Sequence, residues 1–400
     1  MTEEKNYKFS EALSNSNPSF IREILKLTAV KDMISFAGGL PDANLFPKNH
    51  IKSATLDIFE EYGNTLFQYT TTEGLYSLRQ WIADTFSLKH GCSVTPEQVL
   101  IVSGSQQALD LVGKIFINKN DNILIESPSY LGAIQAFNLY SPCFNEISMS
   151  FDGINLDELN YSIESKDPKF FYGIPNFQNP TGISYSIEKR KKLAELLIKH
   201  DQIMVEDDPY GELNYNEQPT RSVFSLAPDN VIYLGSFSKV FAPSFRLGWI
   251  ISPEKIMEKL IVAKQASDLH TNYFSQVILN KYLNKFDITD HIINIRNSYA
   301  EKRKIMIDSI NEYMDKDVIV YPSNGGMFIW IKIPNTSSMD LLPYAIKNKV
   351  AFIPGETFST KGEYKDQIRL NYTSLTNENI ILGIKLLQKS LLEYRLHINK

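Results

Sequence analysis

The sequence predicts an α/β fold, a mostly parallel sheet sandwiched by helices, with a smaller α+β unit after it. Three observations carry this. Short apolar runs recur from about residue 75, and several are continuous rather than alternating, the pattern of strands buried on both faces. Helical stretches separate them, giving strand, helix and strand in succession. Beyond about residue 290 a long charged helix leads into a different mix of strands and helices.

Residues 1–18 read as a polar lead-in. Pro18 to Leu27 is apolar at Phe20, Ile21, Ile24, Leu25 and Leu27, which predicts a short amphipathic helix. Phe36-Ala37-Gly38-Gly39-Leu40-Pro41-Asp42 is turn-rich and has no regular period. Strands are expected at Val99–Ser103, Ile123–Glu126, Phe170–Ile174, Ile203–Glu206, Val231–Gly235 and Leu247–Ile251. Between them, Gln106–Phe116 and Ile187–His200 have helical character. The long helix runs from Ile292 to about Tyr313. Strands follow around Val318–Tyr321, Met327–Ile333 and Gln367–Asn371.

The composition narrows the function. The chain has 400 residues, 43% of them hydrophobic and 22% charged, an ordinary globular mix. Its formal net charge of −5 supplies no basic face for nucleic acid and no attraction to an anionic membrane. No run of about 18 apolar residues is present, and the N-terminal residues lack the apolar stretch of a signal peptide. Cys92 and Cys143 are the only cysteines, so neither a disulfide framework nor a zinc site is expected. This usage fits a reducing cytosol. The histidines show no paired spacing that suits a metal.

Four segments carry chemistry. In Gly235-Ser236-Phe237-Ser238-Lys239 a strand delivers a lysine directly after two serines, and Arg246 follows seven residues on. Serine hydroxyls and a guanidinium fork suit a phosphate monoester, and a lysine beside them can form a Schiff base with an aldehyde. Read alone, the segment is also a surface lysine near a loop. Glu206-Asp207-Asp208-Pro209-Tyr210 closes another strand, where ligands of α/β sheets bind. A carboxylate there can hold a protonated ring nitrogen and Tyr210 can reach a ring hydroxyl, although an acidic strand end is common. Asn179-Pro180-Thr181-Gly182 offers an amide to a phenolic oxygen or a carboxylate, and it equally reads as an ordinary Pro-Gly turn. Ser103-Gly104-Ser105-Gln106 runs from strand to helix. It reads as an anion cradle of free amides, as N-capping by Ser105, or as both.

All four segments occur in chain order, each at a strand-to-loop junction. That combination resembles the fold-type I aminotransferases, which use pyridoxal 5′-phosphate. The resemblance runs from about Arg22 to about residue 390 and is nearest the 2-aminoadipate and kynurenine aminotransferase branch. It rests further on Ile21-Arg22-Glu23-Ile24-Leu25-Lys26, Ser35 to Pro41, Gln68-Tyr69 with Thr72-Glu73-Gly74, Gly104 to Leu111, and Asp268-Leu269-His270-Thr271.

The resemblance implies a seven-stranded sheet in a large domain at 51–290, a small domain at 291–400, and an N-terminal segment, 1–50, that joins the small domain. It implies that Lys239 is the Schiff-base lysine and that Asp207 pairs with the pyridine nitrogen. Tyr210 and Asn179 match the partners of the ring's phenolic oxygen. Ser105, Gln106, Ser236, Ser238 and Arg246 match the phosphate cup, and Tyr130 the aromatic that stacks on the ring. Tyr69 matches a tyrosine that reaches the phosphate of a neighbouring subunit, which implies a homodimer. Arg369 matches the clamp on the substrate α-carboxylate, and Asn179 lies beside that carboxylate as well. Arg22 and Gly39 fall where this branch gates and reads the substrate side chain.

The implied activity moves an amino group from an L-amino acid, whether 2-aminoadipate, aromatic or aliphatic, to a 2-oxo acid such as 2-oxoglutarate, with ping-pong kinetics. Neither metal, nucleic acid nor membrane enters this reading, and the expected location is the cytoplasm. Two alternatives share the motifs. A C–S or β-lyase on the same fold would keep the lysine, aspartate and arginine. The effector-sensing domain of a transcriptional regulator would follow a DNA-binding domain, whereas the match here begins near residue 20 of an acidic chain.

Overall fold

The computed structural model of the chain describes residues 7–10, 13, 24, 32–216 and 220–398. Its strands are, in chain order, β1 (Ile34–Ser35), β2 (Val99–Val102), β3 (Asn122–Ser127), β4 (Cys143–Ser150), β5 (Gly153–Ile154), β6 (Phe171–Gly173), β7 (Met204–Asp208), β8 (Val231–Ser236), β9 (Gly248–Ile251), β10 (Ile319–Val320), β11 (Phe328–Lys332), β12 (Val350–Ala351), β13 (Ile353–Pro354) and β14 (Gln367–Asn371). Of the predicted helix at Pro18 to Leu27, only Ile24 lies among the described residues, and it is buried.

An eight-stranded sheet runs in the order β2-β9-β8-β7-β6-β3-β4-β5. Strands β4, β3, β6, β7 and β8 are mutually parallel, and β9 is antiparallel to both β8 and β2. The seven implied strands are thus joined by an eighth, the two-residue β5, which folds back on β4. Two of these strands, β4 and β5, have no counterpart among the apolar runs read from the sequence. Strand β4 lies beside the sheet's edge with a mixed burial pattern, so it needs no continuous run of large apolar side chains.

Both faces of this sheet are covered. Helices Ser105–Phe116, Leu131–Asn138, Leu156–Lys166 and Ile187–Lys199 fill the connections. Alternate residues enter opposite clusters: Ile123, Ile125, Val205, Ile232 and Leu234 on one face, Leu124, Met204, Val231 and Tyr233 on the other. This two-sided burial is why the sequence shows unbroken apolar runs at these strands. The first cluster continues without a break into Trp330, Ile331 and Leu370 of the second sheet.

That second sheet is antiparallel, β10-β11-β14-β13, and a parallel pair, β1-β12, lies alongside. The segment after β1 is sewn onto this C-terminal part. Phe36 N donates to Ala351 O at 2.8 Å and Asn371 N to Phe36 O at 2.8 Å. Thr373 Oγ1 donates to Leu40 O at 2.7 Å, and Lys302 closes a buried ion pair with Asp42 at 2.5 Å. The turn-rich stretch Phe36–Asp42 is therefore a strap whose backbone groups find partners on β12, β14 and the residues just past β14.

The strands that carry the candidate residues, β2, β3, β6, β7 and β8, point the same way. Their C-terminal ends open on one edge of the sheet, and Ser103, Tyr130, Asn179, Asp207 and Lys239 lie at or just beyond them. Among the described residues no helix is long and apolar enough to cross a membrane.

Gly235, next to the last residue of β8, lies against the Trp249 indole, where a Cβ would collide with the ring. Gly235→Ala overpacks this contact and is expected to lower stability by about 1–3 kcal/mol. Thermal unfolding of the two proteins under one buffer measures it, and an unchanged midpoint would mean that the indole swings aside at no cost.

Candidate active site

A cleft of about 400 Å³ opens at the carboxyl edge of the large sheet. It is lined by Gly39, Ser105, Gln106, Tyr130, Asn179, Asp207, Tyr210, Ser236, Ser238, Lys239, Arg246 and Arg369, all of them predicted site residues. Tyr69 lies outside it, and Arg22 lies outside the described residues. Ile174, Pro209, Pro243 and Phe328 complete the wall and were not predicted. A larger hollow of about 780 Å³ between Phe46–His50 and Tyr282–Asn294 contains none of these groups.

Lys239 follows β8 through Ser236, Phe237 and Ser238. Its Nζ donates to Gly39 O at 2.9 Å. Burial, and then the charges of Arg369 and Arg246, lower its pKa from 10.5 to about 8. An amine so placed is partly unprotonated near neutral pH, as a base or nucleophile must be.

Asp207 is 1% exposed. Its Oδ2 accepts from Tyr172 at 2.8 Å, while Oδ1 is buried with no hydrogen-bond partner among the described residues. Burial, with the neighbouring charges of Asp208 and Glu126, raises its pKa from 3.8 to about 7 against the pull of the Tyr172 hydroxyl. Asp208 has a different task. It accepts from Asn176 at 2.9 Å, Tyr233 at 3.0 Å and Gly211 N at 2.7 Å, which ties the strand end together.

Arg369 reaches the cleft from β14. Its Nη1 donates to Asn179 Oδ1 at 2.8 Å and its Nη2 to Ala37 O at 2.6 Å, while Nε has no partner. The guanidinium lies 4.3 Å from the ring centre of Phe328 and 5.2 Å from that of Phe358. Burial lowers its pKa to about 10, and Tyr210 and Tyr130 act in the other direction, so among the described residues no carboxylate neutralises it. Asn179 also donates to Tyr210 at 3.5 Å, a long contact. Phe328 was read only as part of a strand; a ring placed by β11 against the guanidinium has no local sequence signal.

At the other end, Gly104 caps the helix Ser105–Phe116 with φ of 79°. Ser105 is therefore the first helical residue and not the N-cap, which corrects one of the sequence expectations. A Cβ on Gly104 would lie 2.7 Å from Arg246 Nη2, so the glycine admits the guanidinium beside the helix start. Ser236 Oγ accepts from Ser238 N at 3.1 Å, and Gln106 Nε2 donates to Gly132 O at 3.0 Å. Tyr130 closes the side of the cleft next to Gln106 and has its pKa raised by burial and then by Asp207. Tyr69 is 78% exposed, with its ring edge on His270 at 5.7 Å.

This lining fits pyridoxal phosphate on its own chemistry. The free oxygen of Asp207 suits a ring N–H⁺, and the helix start with Arg246 suits a phosphate. The Lys239 amine lines the same cleft.

The raised carboxyl has a thermodynamic consequence. A folded-state pKa of about 7, against 3.8, means that the fold binds more protons than the unfolded chain between about pH 4 and pH 7. The cofactor-free protein is therefore expected to lose stability as pH rises through that window. A bound ring cation removes the penalty on the Asp207 carboxylate, so cofactor should stabilise more at pH 7.5 than at pH 5. Unfolding midpoints at the two pH values, with and without pyridoxal phosphate, check this. Asp207→Asn should shrink the difference, and an equal gain at both pH values would refute it.

Over residues 31–385 the chain matches the family model of aminotransferase class I and II. It is 40% identical to aromatic-amino-acid aminotransferase 1 of Thermococcus litoralis over 392 residues, 96% of this chain and 94% of that one. It is 38% identical to 2-aminoadipate transaminase of Thermus thermophilus, over 96% of each chain. Among solved structures it is similar to the α-aminoadipate aminotransferase of Thermus thermophilus complexed with N-(5′-phosphopyridoxyl)-L-leucine. That pair has a TM-score of 0.91 and 37% identity, covering 97% of this chain and 98% of the other. The match in family, sequence and fold spans nearly the whole chain. The chain belongs to the class I and II aminotransferases and works with pyridoxal 5′-phosphate.

Proposed function

We propose that this aminotransferase takes its amino group from L-amino acids with aromatic, aliphatic or 2-aminoadipate side chains and passes it to a 2-oxo acid such as 2-oxoglutarate. The observation that carries the proposal is Arg369, a buried guanidinium without a carboxylate partner, turned into the same cleft as Lys239 and Asp207. An α-carboxylate supplies the missing anion in two parallel bonds. Ile174, Tyr130 and Phe328 give the same cleft apolar walls, which supports aromatic and aliphatic donors. The names of the relatives, aromatic-amino-acid aminotransferase and 2-aminoadipate transaminase, support the same range.

Each side chain then has a task. When bound, the cofactor supplies an electron sink for the pair left at the substrate Cα. Asp207 Oδ1 would hold the ring-nitrogen proton, because an adjacent opposite charge favours the protonated form. Tyr210 and Asn179 would donate to the phenolic oxygen. Ser105, Gln106, Ser236, Ser238 and Arg246 would hold the phosphate, and Tyr130 would pack against the ring. Arg369 and Asn179 would fix the substrate carboxylate, and Lys239 Nζ would take the Cα proton. Donor and acceptor use one cleft in turn, which gives ping-pong kinetics. In domain terms, 51–290 holds the cofactor, while 1–50 and 291–400 bring the strap and Arg369.

The active unit on this reading is a homodimer in the cytoplasm. Tyr69, Phe67 and Phe59 are exposed aromatics on one side of the large sheet's domain, and a two-fold contact there would cover the same patch on both chains. Tyr69 would then complete the partner's phosphate site. The two cysteines are free, which accords with the compartment. No nucleic acid or membrane takes part.

Subunit mixing tests the shared site. Tyr69→Ala and Lys239→Ala chains are each expected to be strongly impaired. A heterodimer of the two has one site with an intact Lys239 from one chain and an intact Tyr69 from the other, so activity should return in part. No recovery after verified exchange would refute sharing.

A panel of amino donors in the half-reaction tests the substrate range, and Arg22 is its sharpest element. If Arg22 meets the distal carboxylate of acidic donors, Arg22→Ala removes one charge-assisted pair, about 1.5–3 kcal/mol. The expected loss in kcat/KM for 2-aminoadipate and glutamate is then about 10- to 150-fold, with leucine and phenylalanine much less changed. Equal losses for all donors, or none, would take Arg22 out of recognition.

A further inference from the structure

We propose that Glu126 is a positioning residue for the transamination: through Gln178 and Pro128 its carboxylate fixes the loops that carry Asn179 and Tyr130, and it places a second negative charge behind Asp207. The proposal rests on the roles assigned above to those three residues.

Glu126 is the next-to-last residue of β3 and is fully buried. Its Oε1 accepts from Ile174 N at 3.1 Å and from the Tyr185 hydroxyl at 2.5 Å. Its Oε2 accepts from Gln178 Nε2 at 3.0 Å. Three donors converge on one carboxylate, and no cation is paired with it among the described residues. Gly173 leaves room for the cluster. A Cβ there would lie 3.1 Å from the Tyr185 hydroxyl and 3.3 Å from Glu126 Oε1.

Gln178 spends its whole amide on this arrangement. Nε2 also donates to Pro128 O at 2.7 Å, while Oε1 accepts from Thr181 N at 2.9 Å and Thr181 Oγ1 at 2.7 Å. The next residue, Asn179, bonds Arg369 and Tyr210. Two residues beyond Pro128 stands Tyr130. One carboxylate thus sets both the loop that meets the phenolic oxygen and the loop that covers the ring.

Holding a buried carboxylate without a cation is unfavourable, and burial raises the Glu126 pKa to about 7. A neutral amide in its place could not accept from all three donors, because its NH2 would face the Gln178 amide. What the charge adds is electrostatic. The groups that face it are Tyr185, Gln178, Tyr172 and Asp207. Arg190, the nearby cation, acts on Tyr185 and lies 3.9 Å from Glu206. The charge of Glu126 pushes the Asp207 carboxyl and the Tyr172 hydroxyl upward. By the same sign it favours a proton on the ring nitrogen that Asp207 holds.

The test uses the holoenzyme with Glu126→Gln, Glu126→Asp and Gln178→Leu. Two quantities are read: the pH titration of the bound cofactor's absorbance and the single-turnover rate with one amino donor. Glu126→Gln loses the charge and sets an amide against the Gln178 amide. It should lower the spectral pKa by about half a unit or more and slow the half-reaction by about 10- to 100-fold. Glu126→Asp keeps the charge, so it should restore the spectral pKa while the rate stays low. Gln178→Leu removes the link and one of the bonds that keep Glu126 ionised, so it should slow the rate and lower the spectral pKa by no more than Glu126→Gln does. An unshifted titration and an unchanged rate in Glu126→Gln overturn the proposal. If that variant does not fold, an unchanged rate in Gln178→Leu overturns it. A wild-type protein with no cofactor absorbance would instead refute the underlying site.

Discussion

A buried carboxylate and a buried guanidinium share one cleft, and neither neutralises the other. Asp207 has an oxygen without a partner, and Arg369 has a nitrogen without one. Burial pushes the Asp207 carboxyl up and the Arg369 guanidinium down, each away from its charged form. Much of the surrounding architecture serves to keep them apart and fixed. Tyr172 anchors one, Asn179 and Ala37 anchor the other, and two phenylalanine rings lie against the guanidinium where water would otherwise solvate it. On the proposed function, the cofactor's ring cation would satisfy one and the substrate's carboxylate the other, so the charges that bind the two molecules would also orient them.

Read from the residues alone, the candidates legible in the sequence were those whose chemistry sits at the end of a strand, whereas Gly39, Tyr130 and Arg369 came from the family resemblance. Lys239, Asp207, Asn179 and Ser105 each follow an apolar run, and an apolar run buried on both faces is a strong local signal. What escaped notice depends on approach from elsewhere in the chain. Phe328 matters because β11 brings it under Arg369, and nothing near residue 328 announces that. Glu126 reads as the polar end of a strand until Gln178 and Tyr185, more than fifty residues on, are seen to converge on it. Strand β4 was missed because a strand near the edge of a sheet can be half polar. Ser105 was taken as a possible cap because the glycine before it, in its left-handed conformation, does the capping with backbone alone.

The strap from Phe36 to Asp42 shows how a segment with no regular structure is held in place. Its carbonyls and amides are spoken for by β12, β14 and Thr373, and its far end is pinned by the Asp42–Lys302 pair. A turn-rich stretch built this way presents backbone oxygens at chosen points. One of them, on Ala37, orients the Arg369 fork, and another, on Gly39, meets Lys239.

The bond between Lys239 and Gly39 has an unusual pedigree. The amine belongs to a loop after β8 in the large sheet, while the carbonyl belongs to a strap sewn onto β12 and β14. The two ends of a single 2.9 Å contact are thus fastened to different sheets. A shift of one sheet against the other would be felt at the nitrogen as a stretched or slackened tether. The amine would in this sense gauge how the two halves of the molecule are set.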